Sequence, residues 1–566
     1  MASPLALLLW TAMLALCTAR GIAADLSSST CLIYSPSMNT SIAASPLTYF
    51  RTIVTSGPTA YNYSVFGAPP TGQLGEATTA AEALRFRATA ATFAALQGAF
   101  VSLLGSGNFS IEQWSDFQTL LQSNTGGASP PYSLPFWEDD TFFGFTRKSV
   151  AAQYLAQAQT LPFNLTDSDV SSILGNETLE SALQSGRLFV EDLSYPSVLP
   201  SAFFRPNRTA VGVVALFFLN DQGDLLPIAI QVAGSAGIWT PKDAPFDWLL
   251  AKLYANTASF YLEQTDHFVR THLVPSSMRI AASNRLFTSH PVRLIVDHYT
   301  SGDWGPVAAG LQIVFQGNGG DYYWPYNQNG TLAILGMLVR NYNWTTDDLE
   351  LNIAARGLTS LPKYPYLDDL RKHNAAISNF TDAYVGLYYQ NDADVQMDRE
   401  LQAWAREIAS STPVKGFPSS ISSKGELSGI LTHFIRLVSV EHHLTNTYAI
   451  YNVYTTPFAN RFMTAPPPTS RGTVTAQTIL KYVPTSPQDL VGLFGTAAPY
   501  RVMLAPGDTI MGALQTFQVE PCATAAVEAY LQALAVIESD ISAREANATY
   551  PFPLAKPSIL PYRSFI

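Results

Sequence analysis

The sequence predicts a mainly α-helical protein with a small β part, organised as one large helical domain. Long stretches have the apolar spacing of helices, for example residues 77–100 and 394–409. Two apolar runs, 210–219 and 225–232, enclose the polar segment NDQGD and predict a buried hairpin. The 566 residues contain no Gly/Ser linker, repeat or low-complexity tract that would divide the chain into several domains.

The first 24 residues have the pattern of a secretory signal peptide. An apolar core from Leu5 to Leu16 leads to small residues, and we expect cleavage after Ala19 or Ala24. The alternative is an N-terminal anchor, but the apolar stretch is short for a stable membrane-spanning helix. We therefore expect a secreted, extracellular protein whose mature chain has no transmembrane segment.

Ten N-x-S/T sequons agree with secretion, and none has proline in the middle position. The candidate acceptors are Asn39, Asn62, Asn108, Asn164, Asn176, Asn207, Asn329, Asn343, Asn379 and Asn547. Charged residues form 13% of the chain, against about 25% in an average soluble domain. We therefore predict a glycoprotein whose sugars help to keep its surface soluble.

The cysteines and the charge exclude several classes of protein. Removal of the signal peptide would discard Cys17 and leave Cys31 and Cys522, which either form one disulfide or stay as free thiols. The formal net charge of −11, with no basic run, argues against nucleic acid and anionic membranes as partners. A substrate held by apolar contacts is compatible with this composition.

Two of the eight histidines, His267 and His272, are five residues apart in the segment DHFVRTHLVPSSM. On a regular α-helix five residues correspond to about 500°, which leaves the two imidazoles about 140° apart and unable to share one ion. A π-bulge, with its i→i+5 hydrogen bonds, would bring them back to one side. The spacing therefore indicates either a metal-binding π-bulged helix or an accident of sequence.

A second helix with histidines is predicted within residues 425–452. The residues that precede His442 in helical steps are the apolar Val438, Ile435 and Leu431. Those that precede His443 are the polar Ser439, Arg436 and Thr432. We therefore expect His442 to face the core and His443 to face solvent or a neighbouring segment. Asn446 follows His442 by four residues, on the same inward face, and forms a candidate pair of ligands with it.

The remaining histidines are expected to have structural or supporting roles. His433 lies on a mainly apolar stripe and is predicted to be a core histidine hydrogen-bonded to the backbone. His290 and His298 flank an apolar stretch and are candidates for supporting groups. His373, in the polar segment LRKHNA, is predicted to lie on the surface.

An ordered series of segments resembles the lipoxygenase family over residues 137–566. The segments are DDTFFGF (139–145), LLPIAIQV (225–232), DWLLAK (247–252), HFVRTH (267–272), NRLFTSHPVRLIVDHY (284–299), YPYLDDL (364–370), DVQMDRELQAW (394–404) and HHLTN (442–446). The implied fold is a large helical catalytic domain with minor β elements, preceded by a helical part over residues 25–136. We expect no N-terminal β-barrel, and in this respect the chain resembles secreted fungal members of the family.

The resemblance also implies a metal site. In this family two histidines of an HxxxxH segment, a third histidine, an Asn four residues later and a terminal Ile or Val carboxylate hold one ion. The matching residues are His267, His272, His442, Asn446 and Ile566. The tail LPYRSFI has Tyr562 where the family usually has Asn, so we expect the packing of the tail to differ. These nitrogen and oxygen donors suit Fe or Mn, and the resemblance to secreted fungal members slightly favours Mn.

The activity implied by the resemblance is dioxygenation of polyunsaturated fatty acids such as linoleate and linolenate. A metal-bound hydroxide, rather than a protein base, would take a hydrogen atom from a bis-allylic carbon before O2 adds to give a hydroperoxide. Gly310, with Ala309 one position away, matches a small residue that influences stereochemistry in the family and predicts R-configured product. A close-packing role for Gly310 is the alternative.

Two other functions compete with this one. A non-catalytic secreted lipid-binding glycoprotein would keep the fold without the reaction, although the presence of all five candidate ligands argues against it. A secreted hydrolase is disfavoured because the chain contains neither HExxH nor GxSxG.

Overall fold

The computed structural model describes residues 110–119, 134–287, 289–303, 324–446, 460–486, 489–490, 506–517 and 521–564. Helices dominate these ranges and one antiparallel sheet supplies their strands, so the mainly α prediction is confirmed. The predicted signal peptide, the helix over residues 77–100 and the region where a barrel would precede the catalytic part lie outside the described residues.

The helices of the described ranges include those that carry the histidines discussed above. In chain order the α-helices are α1 (Leu134–Glu138), α2 (Asp140–Thr146), α3 (Asp167–Leu174), α4 (Leu179–Gln184), α5 (Pro245–Phe268), α6 (Val274–Arg285), α7 (Pro291–Tyr299), α8 (Gln328–Asn341), α9 (Leu349–Ala355), α10 (Pro365–Tyr388), α11 (Asp392–Met397), α12 (Arg399–Ser411), α13 (Lys424–Arg436), α14 (His442–Asn446), α15 (Ile510–Thr516) and α16 (Thr524–Glu545). Two π-helical segments join them at Val269–Leu273 and Leu437–Glu441.

The sheet is an antiparallel meander that packs against the helical part. Its strands, in spatial as in chain order, are β1 (Leu155–Gln157), β2 (Leu188–Leu193), β3 (Val213–Leu219), β4 (Leu225–Val232) and β5 (Ile238–Trp239). Strands β3 and β4 pair from Val213↔Val232 to Leu219↔Leu225, with a register shift between Leu216 and Phe217. The predicted buried hairpin is therefore confirmed.

Helix α5 runs through the centre of the molecule. Almost every one of its residues is buried, including Lys252 and Asn256, which is the pattern of a helix surrounded by other elements rather than of a surface helix. Its polar groups have partners: Lys252 Nζ lies 2.7 Å from Asp140 Oδ1, and Asn256 Oδ1 accepts from Arg147 at 2.5 Å. The larger of two hydrophobic clusters in the described residues surrounds α5 and includes residues from Ile111 to Leu560.

The helical stretch predicted over residues 394–409 is two helices, α11 and α12, separated at Asp398. Asp398 is extended, with φ −72° and ψ 98°, and its carboxylate accepts the N–H of Leu401 as the N-cap of α12. Aspartate is strongly favoured at this position because its side chain competes for backbone N–H groups. The apolar residues keep their helical spacing across Asp398, so the sequence alone predicts one continuous helix.

None of the helices in the described ranges has the length and apolar character needed to cross a membrane.

Candidate metal centre

The first of two π-helical segments near the candidate ligands is Val269–Leu273, which begins two residues after His267 and contains His272. The N–H of Val274 donates to the carbonyl of Val269, five residues back. This extra residue per turn brings the two imidazoles to one side of the helix, with ring centroids 5.2 Å apart. The predicted π-bulge is confirmed, and the metal-binding role of the five-residue spacing stays a prediction.

The turn that directly precedes His442, Leu437–Glu441, is also π-helical and was not predicted. The expectation that His442 faces the core is confirmed, since its side chain is 2% exposed. That expectation assumed the residue spacing of a regular α-helix, which does not hold across this π-helical turn. The polar face predicted beside His443 is wrong as well, because Thr432, Arg436 and Ser439 are all buried. His443 itself is partly exposed, as expected.

The three histidines converge on one point. Candidate ligand atoms of His267, His272 and His442 all lie within 4.8 Å of one another. The Nε2 atoms of His272 and His442 are 3.0 Å apart. The Nε2 atom of His267 is buried and has no hydrogen-bond partner in the described part of the chain. Three buried imidazole nitrogens in this arrangement fit a metal ion, which would share their lone pairs.

The other ring nitrogens hold two of the imidazoles in position. His267 Nδ1 lies 2.9 Å from the carbonyl oxygen of Gln264, and His272 Nδ1 lies 3.2 Å from Asp303 Oδ1. Both acceptors favour a proton on Nδ1, which leaves Nε2 as the ligand atom. Burial, with a smaller effect of the nearby His272, lowers the pKa of His267 to about 3. The ring is therefore neutral at physiological pH, as metal ligation requires.

Two groups that support the site were missed by the sequence analysis. Asp303 is buried and also accepts the hydroxyl of Ser276 at 3.1 Å. Gln264 donates from its side chain to the carbonyl of Thr445 at 3.0 Å, which ties α5 to the end of α14. An aspartate 31 residues after its histidine gives no periodic signal, so only the folded chain identifies it.

Of the other predicted ligands, Asn446 is buried at the end of α14, one turn after His442. Ile566 lies outside the described residues, as does Gly310, the residue predicted to influence stereochemistry. The structure thus brings three of the five predicted ligands together and places Asn446 on the same short helix. The roles of Asn446, Ile566 and Gly310 stay predictions.

A buried group of charges lies behind the histidines. Arg270, between His267 and His272, reaches Glu441 at 2.6 Å and Asp347 at 2.7 Å. Glu441 also pairs with Arg436. Each carboxylate thus faces a guanidinium, which compensates the cost of burying these charges. No sequence signal predicted this group, because its members come from segments far apart in the chain.

The remaining histidines are structural, with two differences from the prediction. His433 is a core histidine as predicted, but Nε2 bonds to Asp347 Oδ2 at 3.1 Å and not to the backbone. His290 bonds to Asp398 at 3.0 Å, and His298 lies against the rings of Phe517 and Tyr562.

The surface prediction for His373 is wrong. His373 is 0% exposed, and its Nε2 lies 2.8 Å from the carbonyl oxygen of Ala555. Helix α10 packs against both α13 and α16, so only a narrow face of it is open to solvent. The polar neighbours in LRKHNA lie on other faces of the helix than His373, which explains the error.

Seven sequons and one cysteine fall within the described residues. Six of the sequon asparagines are exposed: Asn164, Asn176, Asn207, Asn329, Asn379 and Asn547. Asn343 is partly buried, and its side-chain oxygen accepts the N–H groups of Thr345 and Thr346. Asn39, Asn62 and Asn108 lie outside the described residues. Cys522 is disulfide-bonded. Its partner lies outside the described residues, where Cys31 also falls.

Comparisons with known proteins give a family and a fold. The family model described as Lipoxygenase matches residues 152–302 and 350–563, more than half of the chain. Human hydroperoxide isomerase ALOXE3 is 29% identical over 450 residues, which cover 76% of this chain and 62% of that protein. A manganese lipoxygenase of Colletotrichum gloeosporioides is 28% identical over 464 residues, covering 76% and 74%.

The similarity extends to solved structures. A structure titled manganese lipoxygenase aligns with a TM-score of 0.80 at 22% identity, over 88% of this chain and 93% of that chain. At this identity the likeness concerns the fold. The chain spans 62% of the length of the human, rat and mouse isomerases that it matches, so their activity does not transfer directly.

Proposed function

The chain belongs to the lipoxygenase family, and from that premise we propose that it is a non-haem metal dioxygenase of polyunsaturated fatty acids. The observation that carries the proposal is the convergence of His267, His272 and His442, whose ligand atoms lie within 4.8 Å of one another. Imidazole ligands suit both Fe and Mn. The product of the proposed reaction is a fatty-acid hydroperoxide. Linoleate and linolenate are the proposed substrates.

The residues of the chain would hold one ion and keep its surroundings dry. His267, His272 and His442 supply nitrogen donors, and we assign Asn446 and the carboxylate of Ile566 as oxygen donors. When bound, the ion supplies the one-electron chemistry that removes a hydrogen atom from a bis-allylic carbon. Both atoms of O2 enter the product, and the hydrogen removed is balanced by the one on the hydroperoxide. Burial of the histidines excludes water from this side of the site.

Manganese is the proposed metal. The donor set accepts either Mn or Fe, so the support comes from the similarity of this chain to a manganese lipoxygenase of Colletotrichum gloeosporioides. Metal analysis of the purified protein separates the two ions directly. Iron as the bound metal would contradict the choice of manganese and leave the dioxygenase proposal intact.

We further propose that the protein is secreted and glycosylated. The signal-peptide pattern of residues 1–24 and the exposure of six sequon asparagines support this, because a glycan needs an accessible side-chain amide. A disulfide at Cys522 is in keeping with an oxidising compartment. Peptide mapping after enzymatic deglycosylation should find sugar at exposed sequons such as Asn164 and little or none at Asn343.

The test of the activity is incubation of the purified protein with linoleate and O2, followed by detection of a conjugated diene hydroperoxide. A parallel reaction receives linoleate hydroperoxide as substrate. Diene formation from linoleate is the expected result. Consumption of hydroperoxide without diene formation would point instead to an isomerase, as the human relative is named. Neither reaction, with no metal bound, would favour a lipid-binding glycoprotein.

The stereochemistry is assigned to Gly310. A glycine leaves space for O2 beside one carbon of the substrate radical that a methyl group would fill, so R-configured product is expected. Chiral chromatography of the product of Gly310→Ala should show a shift towards the S enantiomer. Unchanged chirality would leave Gly310 with a packing role only.

A further inference from the structure

The segment that precedes Ile566 is attached to both π-helical turns by one side chain. The hydroxyl of Ser564 donates to the carbonyl oxygen of Thr271 at 2.7 Å and lies 3.4 Å from the carbonyl oxygen of Val438. Thr271 belongs to the π-helical turn that contains His272, and Val438 belongs to the π-helical turn that ends directly before His442. Ser564 is 2% exposed, so water does not compete for these contacts.

Both carbonyl groups have lost the donor that an α-helix would give them. Residue 275, four positions after Thr271, is proline, which has no N–H group. The N–H of His442, four positions after Val438, donates instead to the carbonyls of Leu437 and Ser439. Buried carbonyls need a hydrogen-bond donor, and the single O–H of Ser564 can donate to either one, with Thr271 the nearer acceptor.

Tyr562 and Arg563, the two residues before Ser564, contact the loop that contains Asp303, the partner of His272. Tyr562 Oη lies 3.1 Å from Ser301 Oγ, and Arg563 donates to the carbonyl and, at 3.0 Å, to the hydroxyl of Ser301. Asp303, the partner of His272 Nδ1, is two residues further along this loop. Gly302 has φ +86°, and a Cβ there would lie 2.6 Å from Arg563 Nη1. The positive φ favours glycine at this position, and a side chain there would also displace the end of the Arg563 side chain.

We propose that Ser564 is a positioning residue of the metal centre, which fixes the tail against both π-helical turns and so sets the placement of the ligands. This inference rests on the proposed function. Ile566 is two positions after Ser564, a reach of at most about 7 Å, so anchoring Ser564 restricts where the proposed carboxylate ligand can lie. The same hydroxyl links the turn of His267 and His272 to the turn of His442.

The test compares Ser564→Ala with Ser277→Ala. Ser277 is the matched control because it is also buried and its hydroxyl donates at 2.8 Å to a carbonyl four residues back, that of Leu273, and makes no contact with the tail. Each variant loses one buried hydrogen bond, but only the first loses a link to the tail. The measurements are the affinity for Mn²⁺ by chelator competition, the electron paramagnetic resonance spectrum of bound Mn²⁺, and thermal unfolding of the metal-free protein.

The expected result is about a tenfold weaker affinity for Mn²⁺ in Ser564→Ala, a loss typical of groups that orient metal ligands, together with a changed resonance spectrum. Ser277→Ala should keep the affinity and the spectrum of the unmodified protein. Equal affinities and identical spectra in the two variants would overturn the inference. So would a loss of affinity in both variants that follows their loss of thermal stability. Absence of Mn²⁺ and Fe binding in the unmodified protein would instead refute the proposed function.

Discussion

The guanidinium of Arg270 lies 2.6 Å from the carboxylate of Glu441, and this buried ion pair joins the two π-helical turns that carry the histidines. Arg270 is flanked by His267 and His272, and Glu441 is adjacent to His442. The pair therefore fixes the relative position of these three histidines through the backbone. The first prediction follows from this ion pair, because a buried charge without its partner strongly destabilises the folded protein.

Arg270→Met should lower the free energy of unfolding of the metal-free protein by about 3–5 kcal/mol, since Glu441 and Asp347 would stay buried without this partner. The control is Arg371→Met, which breaks an exposed pair with Glu350 and should cost less than about 1 kcal/mol. Both values come from urea denaturation. Similar losses in the two variants would mean that the buried pair has no special structural role.

His442→Ala should abolish stoichiometric metal binding, whereas His443→Ala should keep it. The first residue belongs to the converging group and the second does not. Elemental analysis after dialysis measures the metal content of each variant, and circular dichroism checks that both are folded. Metal loss in His443→Ala with retention in His442→Ala would mean that the second π-turn presents the other imidazole.

Asp303→Asn should weaken metal affinity by about 10- to 100-fold, the usual effect of removing the group that orients a histidine ligand. The amide cannot match the charge that favours a proton on His272 Nδ1. Asp297→Asn, at a partly exposed aspartate that pairs with Arg293, is the control and should leave the affinity unchanged. If both variants bind the metal as tightly as the unmodified protein, Asp303 does not hold His272.

Stability should fall between pH 7 and pH 5, in part through His373. Burial lowers the pKa of His373 from 6.5 to about 4. The unfolded chain therefore binds a proton before the folded protein does, and stability is lost as the pH falls from about 6.5 towards 4. At pH 5 the loss from this one group is about 2 kcal/mol.

His373→Gln tests that assignment. The glutamine keeps a donor for the carbonyl of Ala555 and does not titrate. The difference in unfolding free energy between pH 7 and pH 5 should shrink by about 2 kcal/mol in the variant. A difference of the same size as in the unmodified protein would show that other groups produce the acid sensitivity.

The sequence predicted those parts of the site that leave a local mark. A five-residue spacing between His267 and His272 is incompatible with a shared ion on a regular helix, so the first π-turn could be predicted. The second π-turn could not, because the four-residue spacing of His442 and Asn446 is that of an ordinary α-helix. The β3–β4 hairpin was predicted because two apolar runs enclose a polar turn.

The parts that escaped prediction depend on contacts between distant segments. Arg270 and Asp347 are separated by 77 residues, and Ser564 and Thr271 by 293. Such pairs have no periodicity in one sequence. His373 was assigned to the surface for a related reason: local polarity describes the neighbours of a residue along the chain and not the helices that cover it.

The most direct test of the central claim is metal analysis combined with diene formation, carried out on the unmodified protein and on His272→Ala. The three-histidine centre predicts one Mn or Fe ion per chain and linoleate-dependent conjugated diene in the unmodified protein, and neither in His272→Ala. Diene formation by His272→Ala at the unmodified rate, or a purified protein without Mn or Fe, would contradict the account.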